Sequence, residues 1–422
     1  MARSILVASA LLGLAAAQHP GGDRETHPKI TTWKCTTSGG CVAQQNAIVI
    51  DALAHPVHQV DDPTSDCGSW GSAPDPSYCP DAETCQKNCV MDPVTDYAAA
   101  GITTDKGSLS LDMLRDDGSV ISPRVYLLAE NEEEYEMIKL TGQELAFDVD
   151  VSKLPCGMNG ALYFSEMEAN GGKSALNTGG ANYGTGYCDA QCFVTPFING
   201  EPNIDGKGSC CNELDIWEAN KVAASLAPHT CSKPGLYRCT GDECTASGVC
   251  DKNGCTDNAW AHGHEDYYGP GLKVDTTRPF TVITTFPADD SGKLTEVHRK
   301  YIQDGKTIEA PDNNFINDAY CNANGASAFE RLGGVGVMGD AMSRGMVLAM
   351  SVWWDEGGHM NWLDSGNAGP CNADEGAPDH IRSIQLDTAV TFSNIKWGDI
   401  GSTHAMGSNY TMPRGFSAHR RL

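Results

Sequence analysis

Positive charge is scarce in this chain of 422 residues: 29 Lys and Arg stand against 55 Asp and Glu, for a formal net charge of −26. A surface of that sign repels nucleic acid and anionic membranes, which removes both as partners and suits a neutral substrate. Long apolar runs are also missing. Only 5–14 resembles one, and it is too short to span a bilayer. It follows Arg3 and leads into Ala15-Ala16-Ala17. A charged start, a short apolar segment and small residues predict a secretory signal over 1–17, hence a secreted, extracellular protein. No Ser/Thr/Pro-rich linker and no repeat interrupts the rest, so 18–403 is expected to form one domain. The Gly-, Ser- and Arg-containing stretch 404–422 is expected to be a flexible tail, with a glycan acceptor at Asn409-Tyr410-Thr411.

Several catalytic signatures are absent as well. There is no G-x-S-x-G elbow, H-E-x-x-H, P-loop or post-strand G-x-G-x-x-G, so serine hydrolysis, zinc proteolysis and nucleotide binding have no anchor. Cys239, Cys244, Cys250 and Cys255 are closely spaced but contain no C-x-x-C, and a secretory route favours disulfides over zinc. No metal and no cofactor is expected. The 18 cysteines allow at most nine bridges, with Cys35/Cys41 and Cys85/Cys89 as plausible local pairs.

Helical periodicity is rare, and is confined to short helices at 81–88 and 340–344. Strand-like runs recur instead at 47–51, 124–128, 135–140, 144–151, 161–167, 213–218, 280–286, 294–303, 346–354 and 389–397. Asp304-Gly305 signals a hairpin turn. Many short strands among 46 glycines and 21 prolines predict an all-β, single-domain antiparallel β-sandwich.

The most unusual stretch is Glu213-Leu214-Asp215-Ile216-Trp217-Glu218. Alternation puts Glu213 and Asp215 on one face of a strand, with Leu214 and Ile216 on the other. Glu218 falls at an odd offset and would face the core, unless a β-bulge near Ile216-Trp217 returns it to the Glu213 face. The Glu213 and Glu218 Cα atoms are then about 13 Å apart at ~3.3 Å per strand step. Paired carboxyls suit glycosidic chemistry, with retention at about 5–5.5 Å between them and inversion at about 6.5–9.5 Å. Asp215 between them can push their pKa values apart, so that one stays protonated as an acid. A solvated acidic edge or part of a calcium site would share this composition.

Residues that could complete a saccharide site are Trp353 or Trp354, which point to opposite faces of one strand, and Trp362, since indole faces pack on sugar rings. His229 could hydrogen-bond an acid/base carboxyl or a sugar hydroxyl, and Tyr163, Asp189 and Gln191 are polar candidates. Core packing, a satisfied structural histidine, a surface tyrosine and a cysteine-stapled turn are the respective bland alternatives.

The run Cys210-Cys211-Asn212-Glu213-Leu214-Asp215-Ile216-Trp217-Glu218-Ala219-Asn220 resembles the acidic motif of glycoside hydrolase family 7, the fungal cellulases. The likeness extends through His27-Pro28-Lys29, Gly39-Gly40-Cys41-Val42, Leu154-Pro155-Cys156-Gly157, Tyr187 to Cys192, Trp362-Leu363-Asp364-Ser365 and Phe392-Ser393-Asn394-Ile395. The resemblance implies a concanavalin-like jelly roll with long loops and an open substrate cleft, the catalytic domain being 18–403. It implies hydrolysis of β-1,4-glucan with retention, Glu213 as nucleophile, Glu218 as acid/base and Asp215 as the tuning residue. His229 beside the acid/base, Trp353 and Trp362 as cleft aromatics, and Asn159, Tyr163, Asp189 and Gln191 as sugar-binding groups follow in the same way.

Short Cys192–Cys210 and Trp362–Cys371 connections, and the lack of tryptophan in Asp51-Ala52-Leu53-Ala54-His55-Pro56, favour the endoglucanase type over the processive cellobiohydrolase. Where the family often has a product-side arginine, this chain has Trp260-Ala261-His262. A monomer without an appended carbohydrate-binding module is expected. The alternatives are a cellobiohydrolase of the same family and a glucan-binding lectin on the same sandwich.

Overall fold

The computed structural model describes residues 19–21, 24–313 and 315–404. The expected signal segment and Asn409 lie outside them, as does the tail apart from His404. That residue is tied to the body of the protein, with Nδ1 3.5 Å from the Glu144 carboxylate and Nε2 3.2 Å from Lys300 Nζ.

The main strands form one hydrogen-bonded path that folds back on itself in two layers. Its order is Ala224–His229, Glu213–Ala219, Met158–Ser165, Met346–Trp354, Arg124–Leu128, Gly40–Ile50, Lys29–Thr36, Ala389–Asp399, Gln143–Asp150, Phe280–Thr285, Val297–Gln303 and Lys306–Glu309. Neighbours along this path pair antiparallel, except that Lys29–Thr36 runs parallel to Ala389–Asp399, where the first layer passes into the second. Between the layers, Ile48, Val125, Leu162, Phe164, Leu214, Ile216 and Met350 of the first pack with Phe147, Phe280, Val282, Val297 and Phe392 of the second. Each comes from the alternating apolar positions of its strand, as burial of one sheet face requires.

The predicted strand positions hold, with shifts that have causes. The 135–140 run forms a continuous strand only over Met137–Ile138, with a single bridge from Tyr135 to Leu128, because the Tyr135 amide turns away to the Ala169 carbonyl. Asp304 and Gly305 both have positive φ, 54° and 71°, the type I′ geometry that matches strand twist. The helix expected over 340–344 begins earlier, at Gly334–Arg344, where Val335, Met338 and Met342 bury one stripe and packing outweighs the poor helix propensity of three glycines.

All 18 cysteines are paired in nine disulfides. Cys35–Cys41 is as expected. Cys85–Cys89 is not: Cys85 joins Cys79 and Cys89 joins Cys67. Cys89 is already extended at the end of helix Ala82–Asn88 (φ −114°, ψ 139°), so its side chain leaves the helix face that carries Cys85. The closely spaced quartet divides among Cys239–Cys244, Cys231–Cys250 and Cys255–Cys321, which leaves no free thiolate there for zinc.

Candidate active site

The bulge is present where alternation demands it. Against Ala224–His229 the partners run from Asp215↔Ala227 to Glu218↔Ser225, which leaves Ile216 and Trp217 opposite the single residue Leu226, and Met158–Ser165 on the other side shows the same extra residue. A bulge disrupts the ladder and leaves backbone groups to be satisfied elsewhere. Here the buried Arg299 guanidinium donates to the Ile216 carbonyl, with Nε donating to Thr284 Oγ1 at 3.0 Å. Trp217, on the core side, lies edge-on to Phe147, Tyr268 and Phe280. Packed from below in this way, the bulge turns all three carboxylates to the outer face of the first layer.

Glu213, Asp215 and Glu218 are 7%, 7% and 9% exposed, so each titrates against a desolvation penalty. Glu213 Oε2 accepts from the Ala190 amide at 3.0 Å. That amide belongs to a loop fixed by two bridges, Cys188–Cys211 and Cys192–Cys210, which start from the cysteine pair just before Glu213. Burial first, then the neighbouring Asp215 and Asp189, raises the Glu213 carboxyl well above the ordinary range. Burial and Asp189 do the same to Asp215.

Asp215 Oδ2 lies 3.0 Å from His229 Nε2, and His229 Nδ1 is 3.0 Å from the Asp251 carbonyl. A carbonyl only accepts, so Nδ1 carries a hydrogen, and Nε2 is the ring nitrogen that faces Asp215. Gly254, at φ +71°, leaves room for this ring: a Cβ there would stand 2.8 Å from its Cε1 and Nε2. Glu218 Oε1 accepts from Asn159 Nδ2 at 2.9 Å, and the Ala219 amide bonds Asn159 Oδ1 at 3.2 Å, which orients the side chain. Burial and Asp215 push the Glu218 carboxyl up to about 8, partly opposed by Asn159. A carboxylic acid that keeps its proton at neutral pH is suited to protonate a leaving group.

The remaining expected residues surround this trio. Tyr163 OH is 3.1 Å from Tyr187 OH, on a buried ring. Gln191 Nε2 donates to the Lys252 carbonyl at 2.8 Å, and its backbone amide bonds Asp189 Oδ1 at 2.9 Å. Of the adjacent tryptophans, Trp353 pairs in register with Asn159 and shares its face, 6.4 Å from the ring of Trp362, whereas Trp354 is buried in the core. Trp362 is 48% exposed.

Sequence reasoning missed the Ala190 amide, the Asp251 carbonyl, Arg299 and Arg124. The first two are backbone groups with no signature. Arg124 was detectable as a charged residue opening the apolar strand Arg124-Val125-Tyr126-Leu127-Leu128. Its guanidinium lies 3.5 Å over the Tyr187 ring and donates to Asp51 Oδ2 at 3.0 Å.

A two-layer β fold presenting a buried trio of carboxyls, all raised in pKa, on one face has the chemistry of a glycoside hydrolase. A family model described as glycosyl hydrolase family 7 matches residues 21–404. The chain is 54% identical over 407 residues to endoglucanase EG-1 of Humicola insolens, covering 94% of each chain. It is 54% identical over 420 residues to endoglucanase type C of Fusarium oxysporum, covering 96% of each. Among solved structures, the native Humicola insolens endocellulase EGI superposes with a TM-score of 0.90 at 54% identity, over 92% of this chain and 100% of that one. A Melanocarpus albomyces cellobiohydrolase complexed with cellotetraose gives 0.83 at 33% identity, over 92% of this chain and 99% of that one. The protein belongs to glycosyl hydrolase family 7.

Proposed function

We propose that the protein is a secreted endo-β-1,4-glucanase that cuts internal bonds of cellulose and related β-glucans by double displacement. Glu218 donates its proton to the glycosidic oxygen while Glu213 attacks the anomeric carbon. The C–O bond to the leaving chain breaks and a glycosyl ester to Glu213 forms. Glu218, now a carboxylate, takes a proton from water as that water attacks the same carbon, and both carboxyls return to their starting states. Asp215 and Asp189 hold the Glu213 carboxyl up, and His229 beside Asp215 partly offsets them.

The observation that carries this reading is the bulged strand, which brings a protonated Glu218 and the amide-bonded Glu213 to one face. Asn159, Tyr163, Asp189, Gln191, Trp353 and Trp362 are assigned to sugar binding. The endo mode is supported by the names of the relatives and by the short connections from Cys192 to Cys210 and from Trp362 to Cys371. It is tested by following viscosity and new reducing ends together on carboxymethyl-cellulose. A steep fall in viscosity with few new ends is expected. Slow viscosity loss with cellobiose accumulating from unsubstituted cellulose would mean action from chain ends, and no new ends on any β-glucan would leave a binding protein.

A further inference from the structure

We infer that Trp70, with Phe193 beside it, forms an additional glucosyl-binding platform at the end of the cleft floor remote from His229. The inference rests on the glucanase reading and extends it to how much of the chain is gripped. Register carries the first part of the argument. Glu218 pairs with Ala161, Ala161 with Ser351 and Ser351 with Arg124, so these four residues stand in one row on the same face of the sheet. Three strand spacings put Arg124 about 14 Å from the Glu218 position, along the floor rather than beneath it.

Beyond Arg124 the floor continues in aromatic surface. The guanidinium lies 3.5 Å over Tyr187, whose hydroxyl meets Tyr163, and 5.0 Å from the Trp70 ring centre. Trp70 is in turn 5.9 Å from Phe193. These two rings are 42% and 48% exposed, although rings of this size usually bury most of their surface. They are also held in place. Cys67–Cys89 ties down the base of the Trp70 loop, the Gly71 amide bonds the Val194 carbonyl at 3.0 Å, and Gly68 packs on Pro196. Beside Trp70 is a hollow lined by Asp51, Leu53, Tyr187, Phe197 and Gly200. An exposed, fixed indole next to a hydrogen-bonding cation and carboxylate is the arrangement that takes a pyranose.

The test compares wild type with Trp70→Ala and Trp70→Leu on cello-oligosaccharides of increasing length. The ratio of kcat/KM for the longest over the shortest substrate should fall by about threefold to tenfold in both variants, and Trp70→Tyr should restore most of it. Leu keeps apolar volume without a flat ring, so a loss shared by Leu and Ala points to stacking rather than packing. A ratio unchanged in folded Trp70→Leu, or an equal loss at every length, overturns the inference while the glucanase reading stands. If wild type cleaves none of the series, both fall together.

Discussion

Glu25 and Glu213 are both buried, at 5% and 7% exposure, yet their carboxyls shift in opposite directions. Burial works to raise Glu25, but His55 Nε2 at 2.9 Å, the Val94 amide at 3.1 Å and the Tyr97 hydroxyl together outweigh it, and the group ends below the ordinary range. Glu213 has a single short donor, Ala190, and faces Asp215 and Asp189, so burial and like charge dominate. The difference lies in donors and neighbouring charge rather than depth. Around Glu25 the fold satisfies a carboxylate, whereas around Glu213 and Glu218 it leaves carboxyls under-solvated and able to react.

Glu213→Gln breaks the comparison most severely. It keeps the shape and removes the proposed nucleophile, so kcat should fall by about four orders of magnitude or more while oligosaccharide binding, read by calorimetry, persists.

Stability should move oppositely at the two places. Glu218 has its folded pKa raised to about 8, above the unfolded value. Its favourable contribution is complete in acid below the unfolded pKa and is lost as pH rises through the folded one. Glu218→Gln should therefore stabilise the protein at pH 8, on the order of 3 kcal/mol, and change little at pH 4, as read by denaturant melts.

Glu25 has its folded pKa lowered, so its contribution is present above the unfolded value and lost as pH falls through the folded one. Glu25→Gln should destabilise at pH 7 by about 2 kcal/mol, with the effect shrinking in acid. Matching signs for these two variants at neutral pH would remove the contrast.

The smallest effect sharpens it. Asp189→Asn keeps an oxygen for the Gln191 amide but removes a negative charge that raises both Glu213 and Asp215. The acidic limb of kcat/KM should move down by about half to one pH unit.

Much of this contrast was open to a reader of the sequence on one side only. The Glu213-to-Glu218 alternation, with its odd offset, required a bulge, and the bulge lies at Ile216-Trp217. The Glu25 network carried no comparable signal. Its donors come from positions 55, 94 and 97, and nothing in the local pattern around Glu25 points to them.

By itself, then, the sequence determined the properties that depend on neighbours along the chain. These are period-2 strands such as Arg124–Leu128 and Met346–Trp354, the Asp304-Gly305 turn, an acidic strand with one wet face, and that Trp353 and Trp354 must point opposite ways. Tertiary structure decided the pairings: Cys89 with Cys67 rather than Cys85, Trp353 and not Trp354 on the face of Asn159, His229 against Asp215, Ala190 over Glu213, and Arg299 on the bulge carbonyl. Side-chain alternation is imposed by the covalent geometry of one strand. A partner is chosen by which distant segments pack, and many segments of similar composition compete until burial and hydrogen-bond satisfaction select one.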